Sequence, residues 1–182
     1  FREDEESNAI MSALPDGVVV STLRELFASN AKLAIEVIAD QRIVQEGIFA
    51  ALPSALANDG LVVYVPSGVT LEGVVQCYLE ISLDNRAAFT NNLVWLAEGA
   101  NLKLELVWVN DFVSQSGFHD GILNVHLADR SNLHLDERQQ FDLNTLNITH
   151  EVARLGVDAQ LEWNYAAIGA KSSKNFIKVE ME

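Results

Sequence analysis

Apolar and polar positions change rhythm once along this chain. Before Asn58 the apolar residues keep helical spacing, and from Leu61 onward they alternate with polar ones. Leu14-Pro15-Asp16-Gly17 reads as a turn and 18–21 as a short strand. Thr22-Leu23-Arg24-Glu25 has the form of a capping box. Leu23, Leu26 and Phe27 follow it on one helical face, with Asn30 as a stop. Residues 31–41 repeat the helical signature through Leu33, Val37 and Ile38. Residues 48–57 form a third candidate helix that carries Pro53 in its middle. The alternating part predicts strands over 61–65, 74–82, 93–97, 102–109, 122–128, 133–141, 146–152, 161–167 and 176–181.

A short phrase recurs through the strands: Ser67-Gly68-Val69-Thr70-Leu71, Glu98-Gly99-Ala100-Asn101-Leu102, Asp129-Arg130-Ser131-Asn132-Leu133 and Val157-Asp158-Ala159-Gln160-Leu161. The closing leucines are spaced 31, 31 and 28 residues apart. A fixed period of this size marks a solenoid, one supersecondary unit stacked on the last. With two strands in each repeat, the predicted fold is a mainly β, right-handed parallel β-helix, its hand following the usual crossover rule. A small N-terminal helical cap is expected over 1–58 and the β-helix over 59–182. An antiparallel sandwich or a cupin-like barrel fits the composition too, but tight hairpin signals are scarce.

Stacking the repeats sets a register. Leu71, Leu102, Leu133 and Leu161 form one inward column, and Gly73, Leu104, Leu135 and Trp163 the next. Glu72, Lys103, His134 and Glu162 then point outward as a ladder of mixed sign, which avoids stacking like charges. Each buried leucine contributes about 1.5–3 kcal/mol.

Composition narrows the classes of function. Net charge is −14 and the apolar fraction 49%, enough for a core in 182 residues. So acidic a chain repels phosphate backbones, and no basic stripe offsets this, so nucleic-acid binding is not expected. The single cysteine allows no internal disulfide and fits a reducing compartment. Residues 1–12 read as frayed, and the acidic start lacks the form of a signal peptide. No apolar run is long enough to span a membrane. The chain starts without Met and stops inside a predicted strand, so it is expected to be a piece of something longer. An unpaired strand edge at that stop predicts self-association.

Candidate chemistry is sparse. Cys77 lies in an apolar strand and reads as a small packed hydrophobe. His119, His126, His134 and His150 never fall at metal-ligand spacing and read as solvated strand histidines. Glu105, Asp136 and Asn164 stack as a column of oxygen donors. Such a column can hold a divalent cation, but more often it is a solvated stripe. No phosphate loop, nucleophile elbow or Ser/His/Asp order is present. On this reading no residue carries a catalytic, cofactor-binding or metal-binding role.

Five phrases in order resemble the SufB/SufD family of the SUF system for iron–sulfur cluster assembly. Asn58-Asp59-Gly60-Leu61-Val62-Val63-Tyr64-Val65-Pro66-Ser67-Gly68-Val69 is similar to the family's first coil strand, and Phe49-Ala50-Ala51-Leu52 to the helix leading into it. Leu14-Pro15-Asp16-Gly17-Val18, Phe118-His119-Asp120-Gly121-Ile122 and Asn175-Phe176-Ile177-Lys178-Val179-Glu180 keep the family's order. The resemblance implies a parallel β-helix with an N-terminal helical region. It also implies a SufB-type paralogue and a SufC-type ATPase as partners, in the cytoplasm or a plastid stroma, and a scaffold with no bond-making activity of its own. It implies no cofactor within this stretch; an iron–sulfur cluster or iron belongs to the whole complex. SufB-type chains usually carry a cysteine-containing loop where this chain has Val109-Asn110-Asp111-Phe112-Val113, so the SufD branch is the better match. The rival classes are a β-helical carbohydrate-active enzyme and a cupin-like metal or small-molecule binder.

Overall fold

Each recurring phrase builds the same corner. In the computed structural model, which describes residues 14–39, 47–57, 60–83, 85–110 and 116–181, the corners stack and the strands between them form two sheets. Val69, Ala100, Ser131 and Ala159 each donate a backbone N–H to the carbonyl three residues earlier, closing one tight turn per coil. The stacked residues Gly68, Gly99, Arg130 and Asp158 have φ of 71°, 67°, 57° and 57°. Glycine takes this left-handed conformation freely, and the two later corners impose it on side chains. Hydrogen bonds run from corner to corner as well: Gly68 N to Glu98 O, Gly99 N to Asp129 O and Arg130 N to Val157 O, all 2.9 Å.

The strands are β1 (Val19–Thr22), β2 (Leu61–Val65), β3 (Val75–Ile81), β4 (Ala87–Leu96), β5 (Asn101–Asn110), β6 (Gly117–Leu127), β7 (Asn132–Phe141), β8 (Thr145–Leu155), β9 (Gln160–Gly169) and β10 (Ser172–Met181). One sheet has the order β1-β2-β4-β6-β8-β10 and the other β3-β5-β7-β9. Every pairing is parallel except β1 with β2. The chain thus alternates between two sheets and climbs one strand per coil, making a parallel β-solenoid of about four turns. Parallel ladders from β2 to β10 exclude the antiparallel sandwich and the cupin-like barrel.

The predicted inward column is present: Leu102 pairs with Leu133 and Leu133 with Leu161, while a bridge between Thr70 and Asn101 sets Leu71 beside Leu102. The second column needs one correction. Leu104, Leu135 and Trp163 do stack, but their partner on β3 is Val75, not Gly73. Two extra residues loop out after Leu71, and Gly73, with φ 86°, makes the bend. Glu72 therefore leaves the outer ladder, and Lys103, His134 and Glu162 remain in it.

Val63 and Val65 begin two matching columns on the other sheet. Val63 lines up with Val94, Val125 and Ala153, and Val65 with Leu96, Leu127 and Leu155. These meet the leucines of the four-stranded sheet in one dry cluster at the corner end of the coil.

Helices α1 (Leu23–Ser29), α2 (Ala31–Ala39) and α3 (Ile48–Leu56) precede the coil. The capping box at Thr22 is complete: Glu25 N–H donates to Thr22 Oγ1 at 3.2 Å, and Thr22 N–H to Glu25 Oε2 at 2.8 Å. Leu26 and Ala34 pack on Val62 and Leu93 of the six-stranded sheet. Ala50 of α3 packs on Ile122 and Val152 of the same outer face. Helix α3 runs through Pro53 without a break in its assignment. The predicted frayed start, the end of the second predicted helix and positions 111–113 lie outside the described residues.

Candidate functional site

The inward alternation of β7 continues past Leu135 to Glu137, Gln139 and Phe141. It carries a carboxylate and an amide into the coil at the end away from the repeating corners. Facing them from the six-stranded sheet are Thr90 and Asn92 on β4, His119 on β6, and Asn147, Thr149 and Glu151 on β8. Glu137, Gln139, Asn92, His119, Asn147 and Glu151 are each at most 2% exposed.

These groups form one directional chain. Leu61 N–H donates to Asn92 Oδ1 at 2.9 Å, which fixes the amide and aims Asn92 Nδ2 at Thr90 Oγ1, 3.2 Å away. Thr90 Oγ1 lies 3.0 Å from His119 Nε2, and His119 Nδ1 lies 2.7 Å from Asn147 Oδ1. Asn147 Nδ2 donates to Gln139 Oε1 at 2.8 Å. Its Oδ1 must then accept from His119 Nδ1–H, which leaves Nε2 to accept from the Thr90 hydroxyl. Gln139 Nε2 ends the chain, donating to Glu137 Oε1 at 3.1 Å and to Glu151 Oε1 at 3.0 Å. Two indoles complete the Glu137 shell: Trp108 Nε1 donates to Oε1 at 3.0 Å and Trp163 Nε1 to Oε2 at 3.2 Å. Toward β10, Asn147 Nδ2 reaches Ser173 Oγ at 3.1 Å, and Thr149 Oγ1 donates to Asn175 Oδ1 at 2.9 Å.

Burial sets the protonation states. It pushes the His119 imidazole down to about 4, against the opposing effect of its bond to Asn147. It pushes Glu137 up, opposed by the hydrogen bonds from Gln139, Trp163 and Trp108. Glu151 rises well above the ordinary carboxylate range, through burial first and the Glu137 charge second. Cys77 faces the same interior, in line with Leu106, Glu137 and Tyr165. Burial lifts its thiol to about 12, so it stays protonated and unreactive at neutral pH. The arrangement orders side chains and holds protons, and it presents no activated nucleophile.

The predicted residues separate into different places. His119 and His150 are buried, at 1% and 6% exposure, so they are not the solvated histidines expected from the sequence. His119 belongs to the interior chain. His150 lies on the outer face, stacked on Phe176 with ring centroids 4.5 Å apart. His126, half-buried, meets Trp95 edge-on at 5.2 Å. Only His134 keeps the expected setting, between Asp136 at 3.2 Å and Glu162 at 3.1 Å. Its pKa is raised, chiefly by the bond to Glu162.

The oxygen column exists, with Glu105 paired to Asp136 and Asp136 to Asn164. Its oxygens are already engaged: Gln76 and Arg138 donate to Glu105 at 2.6 and 2.7 Å, and Asn164 to Asp136 at 2.9 Å. No cluster of three metal-ligating side chains forms among the described residues. A surface groove of about 270 Å³ runs past His126, Asp129 and Arg154 at the corners. Its charged groups are also paired, Arg154 with Glu180, Glu98 with Arg130 and Asp129 with Val157 N–H.

Glu137 and Gln139 went unnoticed in the sequence although the signal was present. The period that places Leu133 and Leu135 inward also places both of these there.

Comparison with known proteins adds the family context. Residues 2–77 match a family model described as the SufBD protein N-terminal region. Residues 79–182 match one described as the SUF system FeS cluster assembly, SufBD core domain. An iron-sulfur cluster assembly SufBD family protein of Staphylococcus epidermidis is 22% identical over 160 residues, 88% of this chain and 34% of that protein. Its counterpart in Staphylococcus haemolyticus gives the same identity and coverage. A SufBD family protein of Staphylococcus saprophyticus is 23% identical over 128 residues, 70% of this chain and 28% of that protein. The chain spans about a third of the length of the curated relatives it matches.

Proposed function

Because this chain belongs to the SufBD family of iron–sulfur cluster assembly proteins, we propose that it serves there as a SufD-type scaffold segment. The observation that carries this is the pair of family matches, over 2–77 and 79–182. The described structure supports the reading. Its interior is filled by packed leucines and a closed hydrogen-bonded chain, and its one cysteine is buried with a protonated thiol. The segment makes and breaks no bond itself; it holds surface for an assembly. The partners proposed are a SufB-type paralogue and a SufC-type ATPase, and the compartment is the cytoplasm or a plastid stroma. No helix among the described residues is long and apolar enough to cross a membrane. The SufD assignment rests on the sequence at 109–113, which has no cysteine.

The test is anaerobic co-purification of the whole protein with the two candidate partners from the same source. A stable assembly with ATP hydrolysis by the SufC-type subunit supports the reading. Elution of the whole protein without either partner contradicts it.

A further inference from the structure

Four N–H donations reach the Glu137–Glu151 pair, and they are divided unequally. Glu137 accepts N–H groups from Trp108, Trp163 and Gln139, whereas Glu151 accepts one, from Gln139, with the Thr149 hydroxyl beside it. Glu151 Oε2 has no donor among the described residues. It belongs to a residue lining a cavity of about 10 Å³ shared with Thr90, His119, Thr149 and Glu137. Glu137 Oε1 and Glu151 Oε1 accept from the same nitrogen, Gln139 Nε2, at 3.1 and 3.0 Å, and two buried carboxyls brought together in this way cannot both ionise without a large cost.

Among the described residues the surroundings supply no countercharge. From β6 the facing titratable group is His119, kept neutral by burial. From β9 it is Tyr165, its phenol pushed up by burial and then by the two carboxylates. From β3 it is Cys77, protonated. β4 presents Thr90 and Asn92, β5 presents Trp108, and β10 presents Ser173 and Asn175. Arg138, the nearest cation on β7, alternates to the outer face and pairs with Glu105. Two ionised carboxylates here would face each other in a low-dielectric interior without a cation.

We propose that Glu137 and Glu151 bind one proton between them, carried by Glu151 and donated to Glu137, and that this proton ties the four-stranded sheet to the six-stranded sheet across the coil. Glu137 is the carboxylate because three N–H groups point at it, and Glu151 is the acid because only one does. Alkaline pH removes the proton to solvent and leaves two like charges where the sheets meet.

The sign follows from linkage. Glu151's folded pKa lies above its unfolded value near 4.5, so the folded state binds more protons and stability falls as pH rises beyond that value. Asp120, buried on the outer face and raised to about 7, adds a fall of the same sign that ends near neutrality. His119 offsets part of the fall below about 6.5. A decline that continues above the range where Asp120 titrates, and below the ordinary cysteine value of 9.0 where Cys77 begins to contribute, belongs to the pair.

The test is thermal unfolding of the whole protein against pH for Glu151→Gln and Glu137→Gln. An amide at 151 imitates the protonated acid. The expected result for Glu151→Gln is a melting temperature near that of the parent at neutral pH, with a shallower decline as pH rises. An amide at 137 turns an NH2 toward indole donors, so Glu137→Gln is expected to melt far lower at every pH. Equal losses in the two variants, or an unchanged decline in Glu151→Gln, would overturn the proposal. If neither variant folds, infrared spectroscopy of an Asp120→Asn background decides. The carbonyl band of a protonated carboxylic acid at neutral pH supports the shared proton, and its absence refutes it.

Discussion

The two ends of the coil's cross-section share one backbone ladder and have opposite interiors. At the corner end, columns of leucine and valine meet in a dry cluster. At the far end, the same inward positions carry Asn92, His119, Glu137, Gln139, Asn147 and Glu151. The backbone cannot tell the ends apart, because parallel pairing runs unbroken through both on β5, β6, β7 and β8. They differ in how the interior is satisfied. Dispersion is non-directional, so a dry column accepts many arrangements of similar volume. A hydrogen-bonded chain has one solution, since each donor needs its acceptor and one reversed amide leaves two groups unpaired. The corner end thus supplies most of the apolar stabilisation, and the far end fixes how the two sheets meet.

The largest effect should come from moving polar chemistry to the dry end. Leu135→Glu places a carboxylate among Leu104, Leu133 and Trp163 with no donor prepared for it. Breaking charge balance in this way costs about 3–5 kcal/mol or more, and the variant should be unfolded at neutral pH by circular dichroism. Glu137→Ala comes next. It orphans the Trp108 and Trp163 indoles and should cost about 3–5 kcal/mol, at roughly 1–3 kcal/mol for each unpaired group, read from urea unfolding.

The acid limb is smaller and confined to the polar end. His119's folded pKa of about 4 lies below its unfolded value of 6.5, so the folded state binds fewer protons. Taken alone, His119 removes up to about 3 kcal/mol as pH drops from about 6.5 to about 4, against the gain that Glu151 and Asp120 bring over the same range. His119→Gln should remove that offset, so that melting temperature rises more steeply as pH drops below about 6.5, while the alkaline decline is left unchanged.

The smallest effect lies outside the coil. His134 sits in an exposed ladder between Asp136 and Glu162. His134→Ala should change stability by less than about 1 kcal/mol, shrinking further in high salt.

The corner end was legible in the sequence because its chemistry repeats. Four turn phrases, each followed by a leucine, carried the period and the strands. The resulting register holds from Leu102 through Leu161. It failed at Gly73, where a loop of two extra residues breaks a count made by spacing alone. The far end was not legible, for two physical reasons. Its corners differ in length, so no phrase recurs there. Its inward residues are polar, so the apolar alternation fades before the strands end. Strands β4 and β6 therefore begin at Ala87 and Gly117, well before the predicted 93 and 122. His119 was read as solvated for the same reason, since a histidine in an alternating strand is expected on the outer face. The family resemblance was carried mainly by segments outside this polar end, and it gave no hint of the carboxyl pair.

The division of the interior is tested most directly by two volume-conserving changes on one strand, Leu135→Met and Glu137→Gln, measured by thermal unfolding of the whole protein at neutral pH. The account predicts that Leu135→Met costs less than about 1.5 kcal/mol, while Glu137→Gln costs about 2–4 kcal/mol by facing donors with donors. Equal costs for the two would contradict it, because the far end would then be filled space and not a specified network.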